Sequence, residues 1–445
     1  MPAVFQLVPT ELAEHILTFC HPREVARVAQ TCKQLHSLVY DGTDQYLWRE
    51  LFLLYPFDDL RKAVPAGPGE IDATVDWRGE LQRRIFAEAV VVSDPATASA
   101  DELLFALSTL VSVVYSSLPH QPLLPGQDNP IRSGNLTWLH DVLQRSPFIR
   151  TPDLALTEPT EQLCCQLRSQ LSLTMDDGTD TSELSQRRAE SRCAVYNLSN
   201  YTIKNLWGPY LPMFTLAASP GAQPKVDWKQ VEHVMNVVVL NMRELVGTPY
   251  SLMRPQLGLE HTRAYSAPGT AALRTNGSKD WAGLEGLWRR FVCFMDYREL
   301  FAFNYSNLDT SLSPRYFVED SFTEAVRILE MRIFLKKVEE PTPFDYPECP
   351  QLVFEGHVKG LQSRNADVKG FVQRFLDGTI RWKFETIYDG VPQWSGECIQ
   401  VGNICSTIGL AGIWSGVQHT AGDPAGPFWM WKTAESVVER DIIIM

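Results

Sequence analysis

The sequence predicts an α+β protein, helical at its amino end and an antiparallel sheet at its carboxyl end. Apolar residues recur at helical spacing through the first ~55 residues. From about residue 325 the apolar period drops to two. An Asp377-Gly378 turn then joins two alternating runs, the strongest short-range hairpin signal a sequence offers.

Each element follows from its own pattern. In PTELAEHILTFC, Leu12, Ile16, Leu17 and Cys20 form a stripe behind Pro9, which suits a first helical turn. A second helix starts at Pro22 with Val25, Val28 and Ala29 inward, and TCKQLHSLV and DQYLWRELFLL follow as short helices. A Pro/Gly-containing connection over 56–85 leads into DWRGELQRRIFAEAV, again helical. The apolar run at 103–118 reads as a buried helix, too short to span a bilayer and interrupted by hydroxyl residues. The polar stretch at 176–192 is expected as a loop.

The clearest long helix spans 227–247. Asp227 caps it, Val231, Val234, Met235, Val238, Met242 and Leu245 share one face, and Gly247 ends it. LEGLWRRFVCFMDYRELFAFN is expected as a buried helix, aromatic on nearly every turn. Beyond 325, LEMRIFLKK alternates, and Ile380, Trp382 and Phe384 lie opposite Arg381, Lys383 and Glu385. ECIQVG and GLAGIWSGVQH continue the sheet with glycines at bends, so the tail curls into a barrel or a sandwich.

Bulk properties narrow the function. A chain of 445 residues holds two or three domains with real cores. The formal charge of −13 opposes nonspecific binding to nucleic acid or an anionic membrane, and neither partner is expected. Nine scattered cysteines include no C-x-x-C pair, which fits reduced thiols in a cytoplasmic or nuclear protein. MPAVFQLVPTELAEH lacks the charged start and long apolar run of a signal peptide. No metal or cofactor is expected.

The order Val8-Pro9-Thr10-Glu11-Leu12, Ile16-Leu17, Pro22, Val28, Cys32-Lys33 and Leu47-Trp48 resembles an F-box. Val8 stands where that pattern opens on Leu. The remainder resembles a family of fungal F-box proteins, carried by VYNLSNYTIKNLWGPY, DWAGLEGLWRRFVCFMDYRELFAFN and the DG…RW…YDG…QW…IQVG…GIWSG…H…DPAGPFWMWK series. This resemblance implies a three-helix F-box over 1–56, a helical linker over 57–189 and an α+β substrate-binding domain over 190–445. It also implies a non-catalytic adaptor of an SCF ubiquitin ligase. Such an adaptor docks a Skp-family protein and its cullin scaffold, and recruits a protein substrate of unknown identity. Leu7, Pro9, Leu12, Ile16, Leu17, Val28, Leu35 and Trp48 are the expected docking residues. A helical unit this small gains burial from a partner.

The aromatic tail GIWSGVQHTAGDPAGPFWMWK invites enzyme readings. GIWSG misplaces its serine for a nucleophile elbow, and Asp423 before Pro424 reads as a turn start rather than a partner for His419. Glu397 with Asp423 is a conceivable acid–base pair whose separation the sequence does not give. Trp382 and Trp414 are expected in the core, while Trp394, Trp429 and Trp431 stay open between core and contact. Arg381, Trp394 and His419 are the candidate substrate-binding residues, an Arg or His beside exposed aromatics being what a recognition pocket needs. The alternative is a small-ligand carrier or hydrolase built on the β-barrel.

Overall fold

The computed structural model describes residues 8–42, 44–62, 75–120, 131–151, 154–213, 223–245, 255–264, 279–306, 313–318, 322, 324–342, 346, 349–360, 365–420 and 422–433. The chain divides into two compact units at Ala155–Leu156. Leu7 and Gly247, named above, lie outside the described residues.

The first unit is helical. Helices α1 (Thr10–Thr18), α2 (Pro22–Ala29) and α3 (Lys33–Tyr40) lead to α4 (Tyr46–Leu54). Pro9 occupies the N-cap of α1, and Pro22 opens α2 where its missing N–H costs nothing. Ala13, Leu17, Val25, Ala29, Val39, Leu47, Leu51 and Phe52 are buried. The Trp48 indole is buried too, and its Nε1 donates to the Val39 carbonyl at 2.8 Å, tying α4 to α3.

Helices α5 (Trp77–Val91), α6 (Ala100–Tyr115), α7 (Gly134–Arg145) and the one-turn α8 (Pro147–Arg150) complete this unit. Ser99 and Glu102 form a capping box on α6. Arg84 is fully buried, yet its guanidinium lies over Phe52 and Phe57, donates to Asn135 Oδ1 at 2.7 Å and pairs with Glu80. A buried cation tolerates such a place only with partners of this kind.

The second unit joins helices to a closed barrel. Helices α9 (Glu158–Leu171), α10 (Thr181–Val195) and α11 (Trp228–Glu244) pack together, so this unit takes in residues 156–189 as well. The Asp227 side chain caps α11 as expected, accepting from the Lys229 and Gln230 amides. The expected loop at 176–192 is instead largely α10. Asp180 caps it, and Arg187–Asp176, Arg188–Glu244 and Arg192–Glu324 ion pairs hold a helix that buries few apolar side chains. Polar composition alone misread it.

Eight strands follow: β1 (Gly286–Met295), β2 (Glu324–Val338), β3 (Leu352–Gly360), β4 (Ala366–Arg374), β5 (Ile380–Tyr388), β6 (Val391–Gln400), β7 (Leu410–Gly416) and β8 (Ala425–Thr433). Each pairs antiparallel with the next, and β8 pairs back onto β1, so the sheet closes and has no edge. Asp377-Gly378 does form the β4–β5 turn, with Gly378 at φ +88°. The barrel interior is lined by Trp288, Met331, Phe354, Trp382, Phe384 and Phe428.

The expected helix at 284–304 is a strand, β1, followed by helix α12 (Tyr297–Tyr305). Trp288 and Val292 face the interior while Phe291, Cys293 and Met295 join a second core outside the barrel, shared with α11. A strand covered on both faces shows no alternation. The same cover explains β7 and β8, where Ile413, Ala425, Trp429 and Trp431 lie in the outer core and Leu410, Phe428 and Met430 in the inner one. Trp382 is core as expected, but Trp414 is only partly buried. Among the described residues no helix is long and apolar enough to cross a membrane.

Candidate functional site

Two surfaces stand out, one in each unit. In the first, helix α1 turns Ala13 and Leu17 inward and leaves Leu12, Ile16 and Phe19 exposed at 55%, 48% and 74%. These three recur at i, i+4 and i+7, a continuous apolar stripe on one helical face. Pro9 is exposed beside it, while Val28 and Leu35 are half-buried. Leu17 and Trp48 instead belong to the unit's own core, which narrows the candidate docking set. Phe19, the most exposed of the stripe, escaped the sequence reading, although its position one turn beyond Ile16 was the signal.

In the second unit, a cavity of about 450 Å³ is lined by Tyr201, Trp207, Asn304, Tyr305, Ser415 and His419, among others. Two left-handed turns build it. Trp207 (φ 55°) ends the turn after Ile203–Asn205, and His419 (φ 51°) sits in the β7–β8 turn. Bulky residues rarely adopt this backbone, and held strain of this kind clusters at binding sites. The payoff here is geometric: the two rings stack face to face, centroids 3.9 Å apart and planes 8° from parallel.

Polar groups around the stack are fixed. Asn304 Oδ1 accepts from the Leu198 amide at 2.9 Å, and its Nδ2 donates to the Tyr196 carbonyl at 3.0 Å. Asp423 accepts from the Thr420 amide at 2.9 Å and from its hydroxyl at 2.6 Å. His419 Nδ1 lies 3.3 Å from Ser415 Oγ. Burial, then the Lys383 cation, push the imidazole below its usual range against the opposite pull of Asp423. It is therefore neutral at neutral pH, able to accept or donate one hydrogen bond.

The arrangement fits binding better than catalysis. Asp423 is committed to Thr420, and among the described residues no hydrogen bond joins it to His419 to complete a triad. Glu397 is committed as well: it accepts both arms of Arg381, at 2.8 and 3.0 Å, with Lys383 Nζ at 3.4 Å. Among the described residues no group of three His, Cys, Asp or Glu side chains is placed to hold a metal ion.

The three candidate residues therefore do not converge. His419 lines the cavity, Arg381 is locked to Glu397 beside the Tyr210 ring, and Trp394 packs edge-on against Trp414 at 5.3 Å. Sequence reasoning missed Trp207, some two hundred positions from His419. It also missed Tyr297, Phe301 and Tyr305, exposed at 55%, 50% and 41% along α12. The Phe301 and Tyr305 rings touch at 4.8 Å, and Tyr305 carries this aromatic row into the cavity. Their i, i+4, i+8 spacing is visible in the sequence, but the aromatic density of the segment reads as core.

Residues 5–54 match the F-box-like family model. The chain carries an F-box-like domain. No curated protein and no solved structure matches the chain. F-box proteins are in general non-catalytic adaptors that bind Skp-type partners.

Proposed function

We propose that this F-box-like protein is the substrate adaptor of an SCF-type ubiquitin ligase, resembling the fungal F-box proteins. Helix α1 docks a Skp-family adaptor on its cullin scaffold, and the second unit captures the protein to be modified. The observation that carries this reading is the open stripe Leu12–Ile16–Phe19 within the region matched as F-box-like. Monomeric surfaces seldom leave three large apolar side chains uncovered on one helical face unless a partner covers them. The pocket around Trp207 and His419, fed by the aromatic row of α12, supplies what interface hot spots use: rigid aromatics beside fixed polar groups. Nine scattered cysteines with no C-x-x-C pair support a cytoplasmic or nuclear setting.

The test is reconstitution. Full-length protein co-expressed with a Skp-family adaptor should elute with it as one complex and support ubiquitin transfer once cullin is added. Separate elution at micromolar concentration contradicts the adaptor reading.

A further inference from the structure

The barrel interior contains a charge that the adaptor role does not use. Arg290, on β1, is 4% exposed. Its guanidinium lies inside the barrel, 4.2 Å from the Phe428 ring centroid and 4.9 Å from that of Phe384. Its Nε is buried with no acceptor, and no carboxylate forms an ion pair with it among the described residues. The titratable groups that face it are the Cys398 thiol and the Tyr388 phenol, neither of them a carboxylate. Burial pushes the Cys398 thiol well up, so it supplies no anion at neutral pH. Burial also brings the guanidinium down to about 10, which leaves it charged.

Four of the other buried arginines each have a carboxylate, whereas Arg374 has the Tyr346 ring and the Cys349 thiol instead. Arg84 has Glu80, Arg192 has Glu324, Arg263 has Glu260 and Arg289 has Glu330. Arg289 and Arg290 are chain neighbours on opposite faces of β1; the outward one is paired with a carboxylate and the inward one is not. An uncompensated charge in an apolar interior is costly, and two phenyl faces offset only part of that cost.

The surroundings say what would complete the pairing. Phe384 faces Gly396 across β5–β6, and Phe428 faces Gly412 across β7–β8. One inward step further along β6 and β7 stand Trp394 and Trp414, in mutual edge contact. The Trp414 indole lies across Gly426 and donates to the Cys293 carbonyl at 3.0 Å, which fixes it over this end of the barrel. A forked cation thus stands between two phenyl rings, with the tryptophan pair one inward step along the strands that face them.

We propose that this end of the barrel binds a small carboxylate carried on a flat apolar body, its carboxylate held by the Arg290 fork and its body by Trp394 and Trp414. Guanidinium and carboxylate match in a bidentate pair, and such a pair gains strength where water is excluded. The site is distinct from the cavity at His419, and it stands or falls independently of the F-box assignment.

The experiment titrates the full chain with benzoate and with its neutral isostere benzamide, followed by calorimetry and by the NMR signal of the Arg290 Nε–H. Benzoate should bind at least about tenfold more tightly than benzamide and shift that signal. Arg290→Met should keep the fold and abolish the preference. Arg290→Lys, which keeps the charge but loses the fork, should retain only part of it and serves if Arg290→Met does not fold. Equal binding of the two probes, binding of neither, or a preference that survives in Arg290→Met overturns the proposal.

Discussion

Helix α1 and the strand pair β7–β8 carry similar densities of large apolar side chains and dispose of them in opposite ways. On β7 and β8, Ile413, Phe428, Trp429 and Trp431 are all at most 4% exposed, because the barrel interior covers one face and the helical layer covers the other. On α1, Ala13 and Leu17 use up the inward side, and nothing described covers Leu12, Ile16 and Phe19. Aromatic crowding therefore marks the better-filled core, whereas a thin helix with apolar residues on two sides marks the interface. Missing cover, not composition, separates the two.

The largest effect that sharpens this contrast is in the strands. Trp429 is fully buried and its Nε1 donates to the Ile408 carbonyl at 2.6 Å. Trp429→Ala should cost ~3–5 kcal/mol in denaturant unfolding of the full chain. Trp414, only partly buried, should cost less on truncation to Ala, about 1–3 kcal/mol by the same measurement. Comparable losses at the two positions would blur the distinction between covered and rim tryptophans.

Next comes the pocket. His419→Ala removes one ring of the stack and should cost only ~1 kcal/mol of stability, while substrate pull-down is lost. Intact capture would move the recognition surface elsewhere, with the exposed aromatics of α12 the first place to look.

The smallest effect concerns pH. His233 on α11 is half-buried against Ser191, and the desolvation of its ring holds the imidazole below its ordinary value of 6.5. The folded state thus favours the neutral ring, and that stabilisation is complete above 6.5 and lost as pH falls toward the folded value. Melting temperature should fall as pH drops below 6.5, and His233→Gln should flatten the fall. An unchanged slope in the variant would assign the acid sensitivity to other groups.

Much of this architecture was legible in the sequence. The Asp227 cap, the Asp377-Gly378 turn and the alternation of Ile380, Trp382 and Phe384 each act within a few residues, and each stands as read. What failed was long-range. Strand β1 looked helical because Phe291 and Cys293 face α11 while Trp288 and Val292 face the barrel, which erases the period of two. Helix α10 looked like a loop because Glu244 and Glu324, which anchor its arginines, lie 56 and 132 positions away. His419 could be singled out from its Gly/Pro-rich turn, but its partner Trp207 is brought to it only by tertiary folding.

The most direct test of the contrast between covered and uncovered apolar faces is to place charge on the uncovered one. Leu12→Asp combined with Ile16→Asp in the full chain, titrated with a purified Skp-family adaptor, sets binding against a melting temperature measured in parallel. Two carboxylates driven into an apolar contact should weaken binding by about a thousandfold or more, with melting unchanged because both positions face solvent in the free protein. Affinity within about threefold of the unsubstituted chain, at unchanged melting, would contradict the assignment of this face as the docking surface.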